Sequence, residues 1–307
     1  MAEQRKRYAL VTGCTPGGIG HYLALEFAAK GQALRSIPRI PHSPSTGFHV
    51  LATVRNPAKY TPPNEQITYL PLELPGDESI SNLRDRVSEI TGGRLDVLYN
   101  NAGRSYTVAA TDIDMREVQE TFDANVFSVM RLCQIFTPML IEAKGTIVQT
   151  GSLAGVMPYV FASVYAASKA ALHAYSDVLR VELAPLGVRV ITIVTGGVKS
   201  NIARTHRELP KSSYYVPIAD QYEKRLTLSQ QMGMDTQQYA RSCVGHVIGG
   251  ESWFGAVKKR WVWEGKMSWV VWFGWTYLPR GVLDWYFKSK FQLGSLRGTV
   301  GPDKKRM

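Results

Sequence analysis

Cysteine is scarce: three residues in 307 (Cys14, Cys133 and Cys243), too scattered for a disulfide framework or a thiolate metal site. A reducing compartment is the natural setting. The six histidines show no ligand spacing, so no metal ion is expected. A Gly-x-Ser-x-Gly elbow is missing, which removes the usual signature of an α/β-type hydrolase. No apolar run reaches the roughly 20 residues that a spanning helix needs. The amino terminus passes from Arg5-Lys6-Arg7 straight into Tyr8 with no apolar signal region, so no secretory leader is expected. No internal repeat is visible. At 45% apolar and 20% charged residues, global disorder, collagen-like and coiled-coil architectures are excluded and a sizeable core is within reach.

What is present is patterned. Short β-branched apolar runs (Tyr8–Thr12, Phe48–Val54, Ile67–Leu72, Leu95–Tyr99, Thr146–Gln149, Val188–Val194) alternate with helix-period segments (Gly20–Lys30, Glu117–Phe136, Tyr165–Leu183). Near-continuous apolar strands separated by helices indicate parallel βαβ units covered on both faces. The expected fold is α/β, a doubly wound parallel sheet of the Rossmann type over residues 1–265, with a last strand at Arg260–Glu264. Residues 266–307 form an aromatic, basic C-terminal extension. Residues 32–47 are a Pro/Ser-rich insert without an acid, read as a family-specific insertion or a retained intron; following a helix and preceding a strand, it belongs at the amino ends of the strands, away from a ligand.

The first strand leads into Thr12-Gly13-Cys14-Thr15-Pro16-Gly17-Gly18-Ile19-Gly20 and then a helix. Glycines there permit positive φ and close approach to a pyrophosphate at a helix N-terminus, so Gly13, Thr15, Gly18, Ile19 and Gly20 are cofactor-binding candidates. With the insert removed, the ribose-reading position falls on Val54, not an acid, and Arg55 follows. A carboxylate would repel a 2′-phosphate whereas an arginine clamps it, which points to NADPH/NADP. Cys14 in this turn reads as a small buried filler.

Tyr165 and Lys169 sit four apart on one helix, projecting from one face. Tyr286 and Lys290 repeat the spacing in the extension, so spacing alone decides nothing. The company differs: Ser152 lies at the carboxyl end of one strand, Asn100-Asn101-Ala102-Gly103 follows another, and Asn125 lies in the helix behind. This set, with the glycine turn, resembles the short-chain dehydrogenase/reductase family in order and spacing over about residues 7–265. Gly13 to His21, Ala52 to Pro57 and Val194 to Asn201 are most similar to the NADPH-dependent 1-acyldihydroxyacetone-phosphate reductases of fungi. The resemblance implies reduction of a ketone, with Tyr165 as proton donor and Ser152 polarising the carbonyl. Lys169 would hold the ribose and, with the oxidised nicotinamide, lower the phenol's pKa; Asn125 would hold a relay water. Asn101, Ala102, Gly103, Val198 and Ser200 would meet the cofactor. Two positions depart from the family: Pro75 stands where an adenine-binding acid is common, with Asp77 as substitute, and Thr195-Gly196 replaces the usual Pro-Gly.

Residues 201–235 would close over the substrate and carry Arg204, His206, Arg207, Lys211 and Tyr214-Tyr215, basic groups suited to a phosphate. The net charge of +11 is uneven: residues 251–307 hold 11 Lys/Arg against 4 Asp/Glu, and all seven tryptophans lie between Trp253 and Trp285. An apolar stretch from Met267 broken at Pro279 and Arg280, flanked by Lys288 and Lys290, suggests interfacial attachment to a membrane or lipid droplet on the cytoplasmic side of the endoplasmic reticulum; a lid or an oligomer contact is the alternative. No nucleic-acid module is present. The expected partner is a small-molecule ketone or lipid, with a homo-oligomer allowed. Two other functions remain open: a ketoreductase of secondary-metabolite or steroid biosynthesis, and a non-catalytic lipid-surface protein that retains the fold.

Overall fold

The computed structural model describes residues 5–33, 47–203, 207–231, 233–249 and 260–297. Most of the insert, residues 34–46, and the two cover residues Arg204 and His206 lie outside them. Seven strands form one sheet: β1 (Arg7–Val11), β2 (Phe48–Val54), β3 (Ile67–Pro71), β4 (Val97–Asn100), β5 (Thr146–Thr150), β6 (Arg189–Thr195) and β7 (Trp261–Glu264). Their order is β3-β2-β1-β4-β5-β6-β7, every pair parallel, in register Ala9 with Val50 and Val97, and Val148 with Tyr99 and Ile191. The chain leaves β1 toward β2 and β3 on one side and returns to β4 on the other, so the order reverses between β1 and β4. Ligands of such sheets bind at that reversal, outside the carboxyl ends.

The strands are long apolar runs because both faces are covered; β4 and β5 are buried at every position. On one face α1 (Ile19–Ala33) packs with α7 (Thr236–Ile248), joining Leu23, Phe27, Tyr239 and Val244 to Val11, Val50 and Tyr99. On the other, α2 (Asp77–Thr91), α4 (Ser128–Ala143) and α5 (Ser163–Leu183) bring Ile80, Leu83, Leu132, Phe136 and Leu172 onto Leu10, Leu51, Leu98 and Ile147. The strand positions of the sequence reading hold to within two residues at either end.

Two departures bear on the site. The expected helix Glu117–Phe136 is α3 (Met115–Phe122) running into α4 through one π-turn at Asp123–Phe127, where Asn125 is fully buried. A π-turn is rare and concentrates at functional sites, since it rotates side chains out of the regular repeat. The extension forms α8 (Ser268–Tyr277) and α9 (Arg280–Lys290), and α6 (Ala219–Gln231) lies in the covering segment. Helices α8 and α9 dock by one face each. Val271 joins Leu153 and Val194, while Phe287 and Phe291 join Phe161, Tyr222 and Ile218.

Candidate active site

Residues at the carboxyl ends of β1, β4 and β5 build one continuous wall. Gly13 and Gly17 have φ of +73° and +78°, and a Cβ on Gly20 would sit 2.4 Å from the Gly13 carbonyl oxygen and 2.7 Å from Asn101 Nδ2. The turn is therefore as tight as its glycines permit. Asn101 Nδ2 donates to the Thr12 carbonyl at 2.9 Å, and the amides of Asn101 and Ala102 both donate to Thr12 Oγ1 at 2.9 Å, tying β4's exit to β1's. Ala102 lies against Gly13, and the next residue, Gly103, faces Asn125 and the Lys169 ammonium. Cys14 is fully buried, its thiol donating to the Val11 carbonyl, and burial pushes that thiol's pKa up, which leaves it unreactive packing.

Helix α5 carries the two candidate proton-transfer residues, Tyr165 and Lys169. Its inward face is polar where it crosses the strand ends: Ser168, Lys169, His173 and Ser176 are all buried. Lys169 Nζ donates to the Thr150 carbonyl at 2.8 Å and stands 5.8 Å from the centroid of the Tyr165 ring. Burial lowers its pKa to about 8. Ser152 caps the short turn after β5, its Oγ accepting from the Ala154 amide at 3.1 Å, and its hydroxyl draws the pKa of the Tyr165 phenol down. The Tyr286–Lys290 pair shows what the spacing alone gives: an exposed Nζ donating to the phenol at 3.3 Å, with no strand end beside it.

On Tyr165 burial is the largest influence and pushes the phenol up, while Ser152 and the positive charge of Arg225 draw it back; the Lys169 ammonium, 5.8 Å from the ring, gives its hydrogen bond to the Thr150 carbonyl. Asn125 is likewise committed elsewhere. Its Oδ1 accepts from the Arg104 amide at 2.9 Å and its Nδ2 donates to the Arg104 carbonyl and to Ser168 Oγ, each at 3.0 Å. The side chain clamps the Asn101–Arg104 loop to α5.

The residues present fit a dinucleotide. Lys169 is 4% exposed yet has one hydrogen-bond acceptor for three donors among the described residues, so two N–H groups remain for ribose hydroxyls. Among the described residues the main-chain N–H and carbonyl of Val198 have no hydrogen-bond partner, because Met234 bonds the flanking Gly197 and Lys199 instead. Arg55 is exposed past β2 without an ion-pair partner among the described residues. Ser200 lies in the same segment as Val198, and Asn201 Nδ2 reaches the Pro16 carbonyl at 3.3 Å, joining that segment to the glycine turn. Asp77 opens α2, exposed and 3.4 Å from Arg131.

Comparison with known proteins agrees with this geometry. The short chain dehydrogenase family model matches residues 7–210. The chain belongs to the short-chain dehydrogenase family. It is 40% identical over 304 residues to the short-chain dehydrogenase srdE of Neurospora crassa, covering 97% of this chain and 96% of that one. It is 33% identical to the NADPH-dependent 1-acyldihydroxyacetone phosphate reductase of Schizosaccharomyces pombe, over 86% of this chain and 88% of that one. Among solved structures, a short chain dehydrogenase from Burkholderia cenocepacia in complex with NADP superposes with a TM-score of 0.65 at 20% identity, over 92% of this chain and 98% of that one. That likeness shows the fold. The chain is thus an oxidoreductase of this family.

Two side chains of the site were not legible in the sequence. His173 accepts the Ser152 amide on Nε2 at 3.2 Å, with Gly151 and Gly155 packed against its ring and Trp261 4.9 Å away. Burial and the Lys169 charge lower its pKa to about 4. Arg225 of α6 is 6% exposed beside Tyr159. No glycine run or familiar spacing marks either. Of the basic residues expected to meet a substrate phosphate, Arg207 is paired with Glu117 at 2.9 Å and covers the Tyr106 ring, and Lys211 is exposed.

Proposed function

We propose that the protein reduces a ketone to a secondary alcohol with NADPH, on a lipid-like substrate such as 1-acyldihydroxyacetone phosphate. The observation that carries this reading is the meeting of Ser152, Tyr165 and Lys169 at the strand ends beside the glycine turn. When bound, the dinucleotide supplies the hydride. Tyr165 gives its proton to the carbonyl oxygen as negative charge develops there, and a phenol raised by burial keeps that proton at neutral pH, the state a general acid needs. Ser152 Oγ donates to the same oxygen and stabilises the charge. Lys169 holds the ribose hydroxyls with its unspent donors, His173 and Asn125 fix the loops that carry Ser152 and the Asn101–Gly103 turn, and Arg55 supports NADP(H) over NAD(H) by pairing with a 2′-phosphate. Because the Neurospora crassa relative is more similar than the phosphate-ester reductase and its name states no substrate, a ketone of secondary metabolism is the second reading. NADPH consumption by the purified protein over a panel of ketones, acyl-dihydroxyacetone phosphate included, decides between them. No consumption with any of them, against intact dinucleotide binding, favours a non-catalytic protein.

We further propose that α8 and α9 rest on an anionic lipid surface, on the cytoplasmic side of the endoplasmic reticulum or of a lipid droplet. Trp269, Trp272, Phe273, Tyr277 and Trp285 are exposed, with Arg280, Lys288 and Lys290 exposed among them, whereas Trp275 turns to the body and stacks on Trp261 of β7 at 5.8 Å. Tryptophan and tyrosine favour the headgroup region, and lysine and arginine favour its charge. At 10 and 11 residues these helices are too short to span a bilayer. Vesicle co-sedimentation of the wild type, lost in a Trp269→Glu/Trp285→Glu variant, is expected. Equal sedimentation of both overturns the idea, and a dimer that the variant dissolves would assign the face to a second copy.

A further inference from the structure

Arg225 is a buried cation with no counter-ion among the described residues. The guanidinium stacks on the Tyr159 ring at 3.7 Å, and Nε donates to the Val160 carbonyl at 3.2 Å. It forms no ion pair among the described residues. More exposed arginines of the same region do: Arg207 and Arg104 share Glu117, and Arg104 also meets Glu120. Removing a cation from water without a carboxylate partner is costly, and stacking on one ring with a single hydrogen bond offsets only part of that cost.

Its position points the same way. Arg225 sits on the covering segment's α6 next to Tyr222, whose single phenolic proton is shared between the carbonyls of Arg207 at 2.8 Å and Thr107 at 3.1 Å, tying that helix to both segments. Tyr159 and Val160, which hold the guanidinium, lie on the loop that runs from Ser152 to the start of α5, which carries Tyr165. Among the described residues four of its five N–H donors find no acceptor, in the planar fork that matches two oxygens of a carboxylate or phosphate.

We infer that Arg225 is the receptor for an oxyanion carried by the substrate, so that the ketone turned over at Tyr165 bears a carboxylate or phosphate. This rests on the reductase reading and deepens it by naming the substrate class. Three aryl ketones that differ only in the para substituent test it: para-acetylbenzoate, para-acetylphenyl phosphate and para-acetylbenzamide. The wild type should prefer one or both anions over the amide by roughly ten- to a hundredfold in kcat/KM, the scale of one charge-assisted contact. The two anionic arms tell carboxylate from phosphate. In Arg225→Gln the ratio should fall to near one, and Arg225→Lys should keep part of it, because the charge remains while the fork is lost. A wild-type ratio near one, or an unchanged ratio in Arg225→Gln, overturns the inference and leaves the reductase standing. Calorimetric binding of the corresponding alcohols separates the two claims. Tenfold selectivity for the anionic alcohol without turnover of any ketone would keep the receptor and sink the reductase, and absence of selectivity sinks the receptor whatever the turnover.

Discussion

The imidazole of His173 makes the protein acid-sensitive in a way one substitution can isolate. Its Nε2 accepts the Ser152 amide, so the ring must be neutral at that nitrogen, and Nδ1 finds no hydrogen-bond partner among the described residues. The folded-state pKa of about 4 lies below the ordinary 6.5. The unfolded chain therefore takes up a proton below pH 6.5 that the folded chain refuses until about pH 4, and stability falls across that window as pH falls. At 1.36 kcal/mol per tenfold in proton affinity, the interval is worth about 3 kcal/mol. His173→Gln places a non-titrating acceptor at similar reach. Urea unfolding from pH 7 to pH 4 should lose about 3 kcal/mol less in the variant than in the wild type, with both curves parallel above pH 6.5. Superimposable pH dependences would refute the assignment. His173→Leu, which leaves the Ser152 amide without an acceptor, should cost about 1–3 kcal/mol at pH 7 and lower kcat more than it raises KM for the ketone, because Ser152 loses its register.

Other outcomes follow from the same geometry. Lys169→Met should abolish turnover yet stabilise the dinucleotide-free protein at pH 7 by about 1–3 kcal/mol in thermal or urea unfolding, since a buried ammonium with one acceptor is replaced by an apolar chain of similar length; a destabilised variant contradicts the claim that its burial is a cost. Gly20→Ala drives a Cβ into the Gly13 carbonyl and Asn101, so dinucleotide affinity measured by fluorescence titration should drop at least tenfold, and an unchanged affinity would place the cofactor elsewhere. Arg55→Ala should raise KM for NADPH by about ten- to a hundredfold and leave KM for NADH within a few-fold, whereas equal effects on both would remove the 2′-phosphate from its role.

Sequence reading located the sheet because both-face burial leaves a signal that survives without a structure: Phe48–Val54 is apolar at five of its seven positions, and Thr146–Thr150 places Ile147 and Val148 among β-branched threonines. The glycine turn was legible for a similar reason, since only glycine fits between Gly13, Ala102 and Asn101. What escaped depends on tertiary placement. The π-turn at Asp123–Phe127 adds one residue to a helix whose composition is unremarkable, and periodicity cannot show where the extra residue falls. Arg225 and His173 are common residue types on amphipathic helices, and their meaning comes from Tyr159 and Ser152, distant in sequence. Spacing on α5 says that Tyr165 and Lys169 are neighbours, not that the ammonium turns to the Thr150 carbonyl or that burial weighs most on the phenol before a dinucleotide arrives.

The central claim is that one phenol transfers the proton, and Tyr165→Phe measures it with the least disturbance, removing a single oxygen from a side chain whose ring stays packed. NADPH oxidation with the best ketone of the panel should fall by at least a hundredfold, within the range expected for loss of a general acid, while NADPH binding stays within a few-fold of wild type. Activity retained within a few-fold, with binding intact, would contradict the account.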